Sequence, residues 1–198
     1  MKKKTVLDLF SGCGGMSLGF EQAGFEIKLG IDNWSDALLT FKNNHKNSNI
    51  LENDLSLLDP SEIDIDSIDV IIGGPPCQGF SIAGKRIIED QRNDLYKSFV
   101  RFVEFFKPKA FVMENVPNIL SMGGGVIKNK IIDDFSNLGY TVVCKVLMSS
   151  DFGVPQNRKR AFFVGMANGD SFEFPKKLNM SKITSQDAIS DLPDSSII

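Results

Sequence analysis

The sequence predicts an α/β fold, a mostly parallel sheet with helices on both faces and an antiparallel edge. Strand-length apolar runs alternate with helix-period stripes through residue 138, and a glycine-rich turn joins the first run to the first helix. The last two runs, "YTVVCKVLM" and "RAFFVGMA", are separated by a polar loop too short for a helical crossover, so they should pair antiparallel.

In order, "TVLDLF" reads as strand one and "GMSLGFEQAGF" as the helix after it. "EIKLGID" is followed by Trp34, Ala37, Leu38 and Phe41 at helical spacing, then by the shorter runs "NILENDL" and "IDVIIGG". Leu95, Phe99, Phe102 and Phe106 form a stripe that stops at Pro108. "KAFVMENV" reads as a buried strand, and Ile127, Ile131, Phe135 and Leu138 mark a further helix. After residue 168 the pattern leaves only a short helix near 184–190. The chain therefore divides into one packed domain, 1–168, and a tail, 169–198.

At 198 residues and 42% hydrophobic content the chain can bury one good core. No apolar run reaches the roughly 18–20 residues of a membrane span, and the start carries no secretory pattern, so the expectation is a cytoplasmic protein without a membrane partner. Cys13, Cys77 and Cys144 are odd in number and lack CxxC spacing, which points away from a disulfide framework and from a zinc site; no metal is expected. A net charge of −3 excludes a protein that coats nucleic acid through bulk positive charge, while leaving room for a locally basic site.

"DLFSGCGGMSLGF" places Gly12, Gly14, Gly15 and Gly19 where a strand turns into a helix, a geometry suited to a nucleotide-like ligand. The dinucleotide pattern GxGxxG fails at its third position, Ser17, which argues against a nicotinamide enzyme. Asp32 and Asp54 should emerge at the same edge of the sheet after strands two and three. An acid after strand two suits ribose hydroxyls; one after strand three, beside apolar Leu55, suits an adenine. Either alone reads equally well as a turn or cap residue, but beside the glycine turn the pair favours a ligand.

Cys77 in "GGPPCQGFS" follows strand four, and Pro75 and Pro76 fix the backbone before it, as a positioned nucleophile requires. Glu114 ends strand five after an apolar run, where partial burial would favour the protonated acid. Arg158 and Arg160 alternate on one strand and should share a face, suited to an anion or a carbonyl. Cys13 reads as a turn residue, Cys144 as core, and His45, in the polar "NNHKN", as a surface residue.

"DLFSGCGG", "GGPPCQGFS", "MENV" and "QNRKR", in this order, resemble the cytosine-5 DNA methyltransferase family over roughly residues 5–165. The resemblance implies a Rossmann-like fold that binds S-adenosylmethionine and releases S-adenosylhomocysteine. It assigns Phe10, Ser11, Gly12, Cys13, Gly14, Gly15, Asp32, Asn33, Asp54, Leu55, Gly74, Pro76 and Leu95 to the cofactor. Cys77 becomes the nucleophile on carbon 6 of a flipped cytosine, Glu114 the partner of ring nitrogen 3, and Arg160 with Arg158 the clamp on the base carbonyl. Ser81, Lys85, Arg86 and Arg92 fall in the segment matching the family's catalytic loop and are expected to meet phosphates of double-stranded DNA.

A full family member continues into a target-recognition region and a last pair of motifs. The expectation is therefore the catalytic portion of a bacterial restriction-modification methyltransferase: one half of a two-chain enzyme completed by a second chain that carries the remaining parts, a truncated gene product, or a catalytic-domain fragment. The family's tRNA-modifying branch and a non-catalytic remnant are the alternatives.

Overall fold

The computed structural model describes residues 2–76 and 94–192. Seven strands, β1 (Thr5–Leu9), β2 (Glu26–Asp32), β3 (Asn49–Glu52), β4 (Val70–Gly73), β5 (Ala110–Asn115), β6 (Thr141–Met148) and β7 (Lys159–Met166), form one sheet in the order β3-β2-β1-β4-β5-β7-β6. β3 to β5 run parallel; β7 is antiparallel to both β5 and β6, as the short connecting loop requires.

The central strands are buried on both faces, so their apolar runs are continuous rather than alternating. All five residues of β1 are buried, Val6 on one face and Leu7 and Leu9 on the other. Helices α1 (Gly15–Gln22) and α2 (Ser35–Asn44) cover the Val6 face, where Phe41 packs with Ile27, Val70 and Ile72. Helices α3 (Asp94–Phe106) and α4 (Val126–Asn137) cover the other, burying Phe99, Phe102, Val103, Ile131 and Phe135 against β1, β4 and β5. The Phe111 and Phe135 rings lie 4.0 Å apart between centroids, and truncating such a buried ring costs about 3–5 kcal/mol. A short α5 (Ser185–Ile189), capped by Thr184, completes the element order.

Two expectations need correction. Trp34 does not join the apolar stripe of α2: it is the cap residue before the helix and is 62% exposed, whereas Ala37, Leu38 and Phe41 are buried. His45 is not a surface residue. It follows α2 and is only 1% exposed, because the helix end turns its ring inward against Phe41, with centroids 4.4 Å apart.

In a sheet of this order the chain reverses direction of travel between β1 and β4, and ligands bind outside the carboxyl ends of the strands at that switch point. Leu9, Asp32, Gly73 and Asn115 all end at that edge. Because β7 is antiparallel, its first residues return there too: Asn115 pairs with Ala161 and Glu114 with Phe162.

Candidate functional site

The glycine turn is held from both sides. Ser11 N–H donates to the Ile31 carbonyl at 3.0 Å, and Gly12 N–H donates to Asp32 Oδ2 at 2.8 Å. Asp32 Oδ1 accepts from Trp34 N–H at 3.0 Å, so this carboxylate locks the turn after β1 to the start of α2. Gly14 sits at φ +85°, a left-handed conformation at the cap of α1, and a side chain there would collide with the rings of His45 and Phe41. His45 Nε2 lies 3.0 Å from the Gly14 carbonyl and Nδ1 lies 2.7 Å from Glu21 Oε2. A residue read as surface thus pins the turn from beneath.

Ser17, the position that breaks the dinucleotide pattern, is fully buried and donates to Asp8 Oδ2 at 2.6 Å, clipping α1 to β1. Burial pushes the Asp8 carboxyl up to about 7, helped by the charge of nearby Asp32 and opposed by the Ser17 hydroxyl. Asp54 Oδ1 accepts from the Ser56 amide and hydroxyl at 2.8 and 2.7 Å, which holds its acid below the ordinary range and leaves Oδ2 without a partner among the described residues. Leu55 is 2% exposed and belongs to the core, so its side chain offers no surface, while its carbonyl accepts from Arg101.

Around this edge, Cys13, Asn33 and Pro76 are exposed, Leu95 on α3 is half-buried, and Phe10 packs partly against the core at φ +56°. Gly12 and Gly15 face open space, since a Cβ on either would meet nothing within 4 Å. The Ser11 hydroxyl is buried with no hydrogen-bond partner among the described residues. An open, glycine-lined turn with an unsatisfied hydroxyl, flanked by Asp32, Asp54 Oδ2 and the exposed Trp34 ring, fits a polar ligand with an aromatic base.

The second half of the site lies across β4 and β5. Arg160 Nε meets Glu114 Oε1 at 2.7 Å, with the two side chains 24% and 22% exposed. Glu114 is therefore partly buried, as a residue at the end of an apolar run should be, and ion-paired to Arg160. Its Oε2 lies 3.2 Å from where a Gly74 Cβ would stand, so glycine at 74 keeps room above the carboxylate. Arg158 lies just before β7 rather than on it, but it lines the same cavity of about 330 Å³ as Glu114, Arg160, Met16, Phe152 and Phe162. Asn115, overlooked in the sequence, donates from Nδ2 to the Pro75 carbonyl at 2.9 Å, and its Oδ1 accepts from Val116 N–H at 2.8 Å. It ties the Pro-Pro segment to β5. Cys77, Ser81, Lys85, Arg86 and Arg92 lie outside the described residues.

One edge thus carries a ligand-sized glycine turn and, beside it, a carboxylate–guanidinium pair. Residues 4–197 match the C-5 cytosine-specific DNA methylase family. The chain belongs to this family. It is 46% identical to the type II methyltransferase M.DdeI of Desulfomicrobium norvegicum over 96% of this chain and 48% of that protein. It is 43% identical to M1.HphI of Haemophilus parahaemolyticus, over 96% of this chain and 53% of the relative. This methylase chain therefore spans about half the length of these relatives. A match to M.AquIA of Picosynechococcus, at 36% identity, covers 96% of this chain and 90% of that one. Among solved structures, one described as a DNA modification methyltransferase of an E. coli prophage superposes with a TM-score of 0.82 at 35% identity, over 97% of this chain and 56% of the other. DNMT2 of Spodoptera frugiperda, at 24% identity over 88% of this chain and 53% of its own, shares the fold with a TM-score of 0.70.

Cys144 is half-buried on β6, where burial raises its thiol pKa, consistent with a packing residue. Among the described residues no helix is long and apolar enough to cross a membrane, and no cluster of three His, Cys, Asp or Glu side chains could hold a metal.

Proposed function

We propose that this chain is the catalytic portion of a type II DNA (cytosine-5) methyltransferase. The observation that carries the proposal is the Glu114–Arg160 pair beside the Pro75–Pro76 segment that leads into Cys77, at the same sheet edge as the Asp32-locked glycine turn. S-adenosylmethionine supplies an electrophilic methyl group when bound. The turn from Phe10 to Gly15 would receive its methionine part, Asp32 with Asn33 its ribose, and Asp54 its adenine, with exposed Trp34 offering a flat face to the base. The open space at Gly12 and Gly15 and the unsatisfied Ser11 hydroxyl support that assignment.

On this reading the Cys77 thiolate adds to carbon 6 of a cytosine taken out of the duplex. Glu114 hydrogen-bonds ring nitrogen 3 and stabilises the ring as carbon 5 becomes nucleophilic, while Arg160 holds Glu114 and, with Arg158, the base carbonyl. After methyl transfer, a base removes the carbon 5 proton and the thiolate leaves, restoring the ring double bond and the free cysteine. The matched relatives are mostly about twice as long, so a second chain or segment carrying target recognition would complete the enzyme.

The test is transfer of labelled methyl from S-adenosylmethionine to mixed-sequence duplex DNA, by the chain alone and with the product of the adjoining reading frame. Activity on DNA, abolished by Cys77→Ser together with loss of a trapped adduct on a 5-fluorocytosine duplex, is the expected result. Donor binding without transfer in either condition would refute catalysis, and transfer to tRNA in place of DNA would refute the substrate.

A further inference from the structure

Beside the Glu114–Arg160 cavity lies a larger groove of about 590 Å³ around the edge strand β6. Lys145, Lys159, Lys176, Lys177 and Lys182 line it against a single acid, Asp151. In a chain of net charge −3 this is a marked local concentration of positive charge. Lys177 is paired with Asp151 at 2.7 Å, and Lys145 lies 5.9 Å from the Phe174 ring centroid. The other three are exposed and make no ion pair with an acid among the described residues, which leaves their ammonium groups open to an anion. The groove adjoins the smaller cavity, since Leu147 and Phe152 line both.

We propose that this lysine groove binds backbone phosphates of the DNA duplex whose target base enters the Glu114–Arg160 cavity. The inference rests on the methyltransferase reading and adds a nucleic-acid contact surface distinct from the Cys77–Asn93 segment. A base drawn into the small cavity leaves its strand running past Leu147 and Phe152, into a wall of lysines spaced along an extended edge. Point-charge ammonium groups on flexible stems suit phosphates met without base readout, so the groove contributes affinity and orientation, not sequence choice.

Each phosphate neutralised by a lysine releases condensed counterions, which makes the contact visible as salt dependence. Binding of the full chain to a short fluorescent duplex is measured by anisotropy across salt concentrations, for the wild type, for K159Q/K176Q/K182Q, and for a control of equal charge change, K46Q/K128Q/K130Q. These lysines are exposed, apart from half-buried Lys128, and glutamine at such surface positions is tolerated without loss of fold. The expected result is a slope of log affinity against log salt that falls by up to roughly 2.7 for the groove variant, about 0.9 per lost contact, and stays near wild type for the control. Equal slopes for the two variants overturn the proposal, because net charge alone would then explain binding. Competition by polyglutamate as effective as by duplex also overturns it, pointing to an acidic protein as occupant. Calorimetry with S-adenosylmethionine on the same proteins keeps the two ideas apart. A chain that binds no donor contradicts the methyltransferase reading, whereas intact donor binding with an unchanged salt slope removes the groove alone.

Discussion

Gly14→Ala is expected to be the most damaging small substitution in the glycine turn, and its cost can be worked from the structure. At φ +85° an L-residue pays about 1–2 kcal/mol for the left-handed conformation. The new Cβ would stand 2.6 Å from His45 Cδ2 and 2.7 Å from Phe41 Cδ2, and both rings are buried at 1% and 0% exposure, so neither can swing away. Overpacking of that kind costs about 1–3 kcal/mol. The total of about 2–5 kcal/mol corresponds, for a chain of this size, to a fall in Tm of roughly 4–20 °C. Gly19→Ala, in the same motif but with nothing within 4 Å of its Cβ, should instead stabilise α1 by about 0.5–1 kcal/mol. The deciding assay is a double-mutant cycle by urea or thermal unfolding. His45→Ala alone removes the ring that sits on the Gly14 carbonyl and Glu21, at about 2–4 kcal/mol, but it vacates the space the alanine methyl needs. The double variant should therefore be more stable than the sum of the singles by about 1–3 kcal/mol. Additivity within about 0.5 kcal/mol would refute the claim that His45 and Gly14 are in direct steric register.

Glu114→Gln should lower methyl transfer by about 10²- to 10³-fold while donor affinity, read by calorimetry, holds; an equal loss of both would contradict a role at the base. Its ion pair is largely buried, with side chains 24% and 22% exposed, but glutamine keeps an acceptor for Arg160, so the substitution should cost about 1–3 kcal/mol of stability and lower Tm measurably. Asn115→Ala frees the Pro75 carbonyl and the Val116 amide, and should cost about 1–3 kcal/mol in urea unfolding with an at least tenfold drop in turnover; full activity would show that the Pro-Pro segment is held without it. Asp8 titrates near 7 in the fold against an ordinary value of 3.8, so between those values the unfolded chain releases a proton that the folded chain keeps, and stability falls as pH rises through that window. Asp8→Asn lacks this loss, so its Tm relative to wild type should climb from pH 5 to pH 8 in calorimetric scans; a constant difference would refute the assignment.

The sheet was legible because its strands are buried on both faces and separated by helix-period stripes, two signals that do not depend on partners. The antiparallel β6–β7 pair followed from loop length alone. Asp32 and Glu114 were legible as candidates because a polar residue at the end of a buried strand is a local pattern, and Arg160 because it stands at the start of the apolar run of β7. His45 and Trp34 were not, and for one reason: both flank α2, where periodicity stops predicting orientation. The helix ends by turning His45 under the glycine turn, and begins with Trp34 pointing outward from a backbone held by Asp32. Asn115 was hidden differently, because its partner, the Pro75 carbonyl, is 40 residues away in sequence and carries no side-chain signal.

These contacts share a logic that bears on how the edge works. Asp32 is held by amides of Gly12 and Trp34, Asp54 by Ser56, Glu114 by Arg160, and Pro75 by Asn115. These four groups are thus braced within the edge, and ordering costs that a ligand would otherwise meet are already met in folding. His45 extends the bracing one layer inward, to the core on the Val6 face, since its ring stacks on Phe41 and its nitrogen meets the Gly14 carbonyl. On the proposed reading the glycine turn is consequently a cradle already anchored to the core through His45. Substitutions at His45 should then weaken donor binding in proportion to the disorder they introduce into residues 11–15, whereas substitutions in the lysine groove should leave donor binding alone.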